Sequence, residues 1–75
     1  MTKVPPITAS KAIKAFGKAG FVEVRQSGSH RILKKDGHRF LLSIPDHRGK
    51  TVGNSLLISQ IEAAGLTRDE FLAGC

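Results

Sequence analysis

The spacing of apolar residues changes at Gly20, and this change constrains the fold more than any other feature of the chain. Ahead of it, Ala9, Ala12 and Phe16 recur three or four positions apart, the spacing of one helix face. Thr8 is a suitable N-cap for this helix, and Gly20 suits its left-handed C-terminal position. Beyond Gly20, apolar residues alternate with polar ones, which is the period of a β-strand. We therefore predict a helix followed directly by strands.

Three strands are predicted after this helix. In the first, Val22 and Val24 alternate with charged residues, the pattern of a half-buried strand. The ranges 29–35 and 39–44 fit the second and third strands, and an Asp-Gly pair at 36–37 is a strong hairpin signal between them. Connections this short predict an antiparallel meander.

A second helix is predicted after the strands. A polar loop at 46–53 precedes it, it occupies 54–64, and Gly65 ends it. Thr67 and Glu70 have the spacing of a capping box, which opens a last helical turn. Two helices can cover one face of a three-stranded sheet and leave the other open. The predicted fold is α+β with the order α-β-β-β-α and both helices on one face, as in double-stranded RNA-binding domains.

The length of 75 residues allows one domain, because domains usually run from about 50 to 250 residues. We predict a single domain over 1–75. Residues 1–6 are predicted to form an extended arm, because Pro5 and Pro6 lack amide donors and disfavour helix in the residues before them.

Positive charge is concentrated in the middle of the chain. Lysine and arginine total 12 against 6 acidic residues, a formal net charge of +6. Between positions 25 and 50 there are seven basic and two acidic residues, and all three histidines lie there. Such a distribution favours an acidic partner, either nucleic acid or an anionic surface.

Several classes of protein are disfavoured by what the sequence lacks. A lone cysteine, Cys75, permits no internal disulfide and no cysteine-based metal site, which fits a reducing cytoplasm. We find no apolar run of membrane-spanning length and no secretory leader. The histidines are eight and nine residues apart without an acidic cluster, and no phosphate-binding glycine loop is present. Neither a metal nor a cofactor is expected.

The tripeptide Gly28-Ser29-His30 is the most informative for chemistry. Glycine allows close approach of a ligand to the backbone, the Ser29 amide and hydroxyl can hold a phosphate oxygen, and His30 titrates near neutrality. A neutral imidazole can take the proton of a ribose 2′-hydroxyl, which then attacks the adjacent phosphate. The products would be a 2′,3′-cyclic phosphate and a 5′-hydroxyl. A hydrogen-bonded structural histidine beside a turn is the alternative interpretation.

Other residues could support this chemistry. Four cations are candidate phosphate contacts: Arg25, Arg31, Lys34 and Lys35. His47 could be a general acid, a phosphate contact or a structural loop residue, whereas His38 is interpreted as an exposed hairpin residue. The four phenylalanines occupy positions typical of a core, which argues against stacking on bases as the main mode of RNA binding.

Six stretches of the sequence together match the pattern of a known family: Pro5-Pro6-Ile7-Thr8, Ala19-Gly20-Phe21, Arg25-Gln26-Ser27-Gly28-Ser29-His30, Pro45-Asp46-His47, Ala64-Gly65-Leu66-Thr67 and Glu70-Phe71. Through them, nearly the whole chain resembles HicA-type toxins, which are partners of HicB-type antitoxins. The resemblance implies the toxin of a type II toxin–antitoxin system, an mRNA-cleaving endoribonuclease that needs no metal and has His30 as its catalytic residue. It also implies a HicB-like antitoxin that covers the active face in a hetero-oligomer. Ser55-Leu56-Leu57 and Gln60 depart from the usual Gly-Thr-Leu run and isoleucine of that family.

Two rival functions use the same fold and charge. A non-catalytic RNA-binding module would bind RNA without turnover, and a protein-interaction module would present its basic face to an acidic protein. Replacement of His30 by alanine separates the enzyme from the first rival, and the salt dependence of RNA affinity separates RNA binding from the second.

Overall fold

The computed structural model of the chain describes residues 3–47 and 50–75. Its elements are β1 Ile7–Thr8, α1 Ala9–Lys18, β2 Val22–Ser27, β3 His30–Lys34, β4 Leu42–Pro45, β5 Thr51–Val52, α2 Asn54–Ala63 and α3 Arg68–Ala73. Strands β2, β3 and β4 form an antiparallel sheet in that order. The predicted α+β class and the α-β-β-β-α arrangement are therefore confirmed. No helix in the described ranges is long and apolar enough to cross a membrane.

Capping interactions within a few residues define both ends of helix α1. The Thr8 hydroxyl accepts a hydrogen bond from the Lys11 amide, at 3.4 Å. At the other end Gly20 has a φ of 103°, and the Phe21 amide donates to the Phe16 carbonyl at 3.1 Å. The two phenylalanine rings then meet edge to face, 6.2 Å apart. This glycine-terminated turn carries the chain directly into β2.

The sheet has one buried face and one exposed face. Leu33, Leu42 and Ile44 are fully buried on the side where α1 and α2 pack. We call the opposite side the outer face; in β3 it carries His30, Ile32 and Lys34, which alternate with the buried positions. The outer face is open because α1 and α2 both lie on the opposite, buried side of the sheet.

The predicted burial of the β2 valines is wrong. Val22 is 63% exposed and Val24 is 53% exposed. A β-bulge between Glu23 and Arg25 makes Val24 an extra residue in the strand, while Glu23 turns inward to pair with Arg31. Alternation has the same period whichever set of side chains is buried, so the sequence pattern did not distinguish the two faces.

The predicted start of the third strand is also wrong. The turn at 36–37 forms, with a φ of 79° at Gly37 and a hydrogen bond from the His38 amide to the Lys35 carbonyl. However, the strand starts at Leu42 and not at position 39. Since only the glycine of the pair has a positive φ, this is not the tight type I′ hairpin, and the connection is wider.

His38 and Phe40 in this connection differ from their predicted environments. His38 is half-buried: its Nε2 donates to the Ala63 carbonyl at the end of α2, at 2.7 Å, and its ring contacts Phe21. Its interpretation as an exposed residue is therefore wrong. Phe40 is 54% exposed, so the prediction that all four phenylalanines lie in the core holds only for the other three.

The N-terminal arm is tied to the start of α2, a feature the sequence did not predict. Ile7 pairs with Val52 in a short antiparallel ladder between β1 and β5. The Asn54 side chain donates to the Val4 carbonyl at 2.8 Å. Val4 and Ile7 are both buried. The described part of the arm is thus packed against the domain.

Helix α3 opens with the predicted capping box. The Glu70 amide donates to the Thr67 hydroxyl at 3.1 Å, and the Thr67 amide donates to the Glu70 carboxylate at 2.8 Å. The Thr67 amide, and secondarily its side chain, hold the pKa of the Glu70 carboxyl below its ordinary value. A carboxyl with a lowered pKa stabilises the fold at neutral pH and loses this contribution on acidification.

Gln60 covers part of the free edge of β4. Its side-chain oxygen accepts a hydrogen bond from the Ser43 amide at 3.0 Å. Replacing Gln60 with leucine is expected to lower the free energy of unfolding by about 1 kcal/mol, because that amide then loses its partner. Replacing it with glutamate keeps an acceptor and serves as the control in urea denaturation. Equal stability of the two variants would contradict a stabilising role for this bond.

Candidate functional site

His30 is the first residue of β3, at one end of the outer face. It lies between Ser27 of β2 and Pro45 of β4, its partners in the two ladders. Gly28 and Ser29 form the two-residue connection between β2 and β3, with a φ of 60° at Gly28 only. A positive φ at the first central residue alone is the pattern of a type II′ turn, which explains the glycine. His30 is exposed there.

The turn beside His30 is held from two sides. The Gln26 side chain donates to the Gly28 carbonyl at 3.1 Å. The Asp46 amide donates to the Ser29 carbonyl at 2.6 Å. The segment after β4 therefore lies against the turn. Gly28-Ser29-His30 and the segment Pro45-Asp46-His47, whose corresponding positions are 17 residues apart in the sequence, are thereby brought together.

Arg31 is engaged by two carboxylates. Its Nε lies 3.2 Å from the Glu23 carboxylate, and its Nη1 lies 2.9 Å from Oδ2 of Asp46. All three side chains are about 30% exposed. We call these three residues the Arg31 cluster; it connects β2, β3 and the segment after β4. Sequence reasoning did not identify Glu23 or Asp46 as partners of Arg31, because they are 8 and 15 residues away from it along the chain.

The other predicted cations lie at different distances from His30. Arg25 pairs with Ile32, one outer-face position away from His30, and is exposed. Lys34 is at the far end of β3, roughly 13 Å away at about 3.3 Å per residue. Lys35 follows it, and its Nζ lies 5.8 Å from the centre of the Phe21 ring. The structure thus places Arg25 beside the histidine and the two lysines at the opposite end.

His47 is exposed, and its carbonyl accepts a hydrogen bond from the Lys50 amide at 2.9 Å. Arg48, part of the basic stretch noted in the sequence, lies outside the described residues. Over residues 3–47 and 50–75, no three His, Cys, Asp or Glu side chains come together as a potential metal-binding group.

In a comparison with protein-family models, the model of the HicA toxins of bacterial toxin–antitoxin systems aligns with residues 9–66. The chain belongs to the HicA toxin family. The resemblance seen in the sequence is confirmed, and the protein is a toxin whose family implies an antitoxin partner. Among individually curated proteins, none matches the chain.

The matched region of this HicA toxin contains His30, its turn and the Arg31 cluster. It also contains the departure from the family pattern at the start of α2. There, Leu57 is buried whereas Ser55 and Leu56 are exposed, so the departing residues preserve one core position. His30 lies in β3 and its described ladder partners belong to β2 and β4, so none of the departing residues is among them.

Proposed function

We propose that this HicA toxin is a metal-independent endoribonuclease that cleaves mRNA, with His30 as the general base. The observation that carries the proposal is an exposed histidine beside a type II′ glycine turn on an open, basic sheet face. His30 takes the proton of a ribose 2′-hydroxyl, and the 2′-oxygen forms a bond to the adjacent phosphorus. The bond from phosphorus to the 5′-oxygen breaks, and the leaving oxygen receives a proton from an acid, for which His47 is the candidate.

Gly28 and Ser29 position the phosphate in this proposal. A Cβ placed on Gly28 would meet no other atom within 4 Å, so the backbone at this point is open to a ligand. The Ser29 amide and hydroxyl are the proposed phosphate contacts. Arg25 lies close enough along the outer face to offset negative charge on the reacting phosphate. Lys34 and Lys35 are proposed to contact phosphates farther along the same RNA.

Arg31 acts in this scheme by positioning the site. Because its guanidinium is bound to Glu23 and Asp46, we propose that it holds the segment bearing His47 against the turn bearing His30. The two carboxylates offset the charge of Arg31. These two contacts account for an arginine at this position without a direct contact to phosphate.

Salt dependence separates a positioning role from a phosphate contact. Replacing Arg25 with methionine is expected to lower the slope of log affinity against log salt by about 1, because one phosphate contact is lost. Replacing Arg31 with methionine should leave that slope unchanged and lower the maximal cleavage rate several-fold. The RNA affinity of both variants is measured at several salt concentrations to give the slope. Single-turnover assays give their maximal cleavage rates. An equal fall in slope for the two variants would assign Arg31 to phosphate binding.

The proposed reaction is tested by incubating the purified toxin with a structured mRNA in EDTA, beside the His30→Ala protein. Cleavage by the wild type alone, leaving 5′-hydroxyl and 2′,3′-cyclic phosphate ends, supports the endoribonuclease. If neither protein cuts and both bind RNA equally, the non-catalytic RNA-binding module is the better description. The antitoxin partner is proposed to be HicB-like and to form a cytoplasmic hetero-oligomer with the toxin.

A further inference from the structure

A shallow groove runs beside β2, at the end of the sheet away from His30. It has a volume of about 340 Å³ and is lined by Gly20, Val22, Val24, Lys34, Lys35 and Asp36. We call it the valine groove. The described part of the chain exposes five large apolar side chains, and two of them, Val22 and Val24, meet here. Two neighbouring exposed valines in a concave surface indicate an occupant with apolar side chains.

The chemistry of the groove favours a protein over RNA. Valine side chains cannot donate hydrogen bonds to phosphates, and they have no ring on which a base could stack. They gain by contact with other aliphatic or aromatic side chains, because such contact removes both surfaces from water. The centre of the groove is therefore suited to a peptide side chain.

The rim of the groove gives the sign of charge of that peptide. Lys34 and Lys35 line it, against one acidic residue, Asp36. The Lys35 side chain lies over Gly20 and Phe21: its Cε is 3.2 Å from where a Cβ on Gly20 would stand, and its ammonium faces the Phe21 ring. Two lysines at an apolar depression complement an apolar segment that also carries carboxylates.

The position of the groove in the sheet indicates an extended occupant. Strand β2 is at the edge of the sheet, and its second side is paired with no other described strand. An extended peptide can lie along such an edge. The bulge at Val24 interrupts a continuous ladder, so side chains rather than a long run of backbone hydrogen bonds would hold the peptide.

We infer that the valine groove is the docking site for an extended, acidic and apolar segment of the antitoxin. This rests on membership of the toxin–antitoxin family and not on catalysis by His30. The segment would contact Lys34 and Lys35, the same lysines that are proposed to contact RNA. Antitoxin binding would then displace the RNA from one end of the outer face, without requiring this segment to touch His30.

The test compares two double variants of the intact toxin. The Val22→Ser/Val24→Ser protein removes the apolar surface of the groove, and the Leu41→Ser/Leu56→Ser protein removes two exposed apolar side chains elsewhere. Affinity for the purified cognate antitoxin is measured by calorimetry, and cleavage of RNA is measured without antitoxin. We expect the valine variant to bind antitoxin at least tenfold more weakly, with RNA cleavage within twofold of wild type. The leucine variant should bind as the wild type does.

Charge at the groove is tested separately with Val24→Glu and Val24→Lys, which differ in sign at similar length. The glutamate variant should bind antitoxin more weakly than the lysine variant, and the difference should shrink in high salt. Equal binding by this pair would overturn an acidic occupant. Wild-type antitoxin affinity in the double valine variant would overturn the docking site, and loss of RNA binding with antitoxin binding intact would assign the groove to RNA. Antitoxin affinity can be read even if the toxin cleaves no RNA, so the two proposals fail independently.

Discussion

The His30→Ala toxin is expected to cleave RNA roughly 10²- to 10⁴-fold more slowly than the wild type, the contribution typical of a positioned general base. The substitution should slow the chemical step without unfolding the protein, because His30 is exposed at the end of a strand and packs into no part of the core. RNA affinity should stay within a few-fold, since the basic residues of the outer face are untouched. Single-turnover cleavage and an RNA-binding titration measure the two quantities.

His38 provides the matched control for this prediction. Its ring donates to the Ala63 carbonyl and contacts Phe21, so its replacement by alanine removes an imidazole from a structural setting. The His38→Ala toxin should be less stable by about 1 kcal/mol and should cleave at a normal rate per folded molecule. If His38→Ala lost cleavage while His30→Ala kept it, the assignment of the general base would be wrong.

Replacing Phe16 with alanine is expected to cost about 3–5 kcal/mol of unfolding free energy, as for other buried aromatic residues. Phe16 has no exposed surface, and its ring contacts those of Phe21 and Phe71 at 6.2 and 4.8 Å between centres. A domain of 75 residues has a total stability of roughly 4–11 kcal/mol. The substitution would therefore remove a large part of it, and a substantial unfolded population is expected at 37 °C.

Phe40 offers the same substitution at an exposed position. Since its side chain is 54% exposed, Phe40→Ala should change the unfolding free energy by less than about 1 kcal/mol. Both variants are best compared by urea denaturation in the His30→Ala background, which avoids toxicity during expression. If both variants lost the same unfolding free energy, the contacts of the Phe16 ring with Phe21 and Phe71 would contribute no more to stability than the exposed ring of Phe40.

The elements that sequence reasoning predicted well are those set by local interactions. The N-caps at Thr8 and Thr67 and the glycine stops at Gly20 and Gly65 each involve residues within five positions of one another. Turns and caps of this kind depend on few atoms, so their sequence patterns are specific. The placement of His30 beside a glycine turn belongs to the same class.

The features that were missed depend on contacts between distant residues. The pattern of β2 did not reveal that a bulge and the Arg31 cluster direct Glu23 inward and leave the valines outside. Nor did the sequence reveal that His38 binds a carbonyl 25 positions away, in the connection that precedes β4. The charge of Arg31 suggested a phosphate contact; only the three-dimensional arrangement shows that two carboxylates already bind it.

The ladder between β1 and β5 links the residues ahead of α1 to the segment that follows His47. His47 belongs to a span held at one end by Asp46, through Ser29 and Arg31, and at the other by Thr51, which pairs with Thr8. The Asp46 amide donates to the Ser29 carbonyl, so His47 directly follows a residue that lies against the turn bearing His30. Removing the residues ahead of α1 would take away the partners of Thr51 and Val52, together with the buried side chains of Val4 and Ile7. A truncated toxin would therefore lose one anchor of this segment and part of the core, although neither histidine had changed.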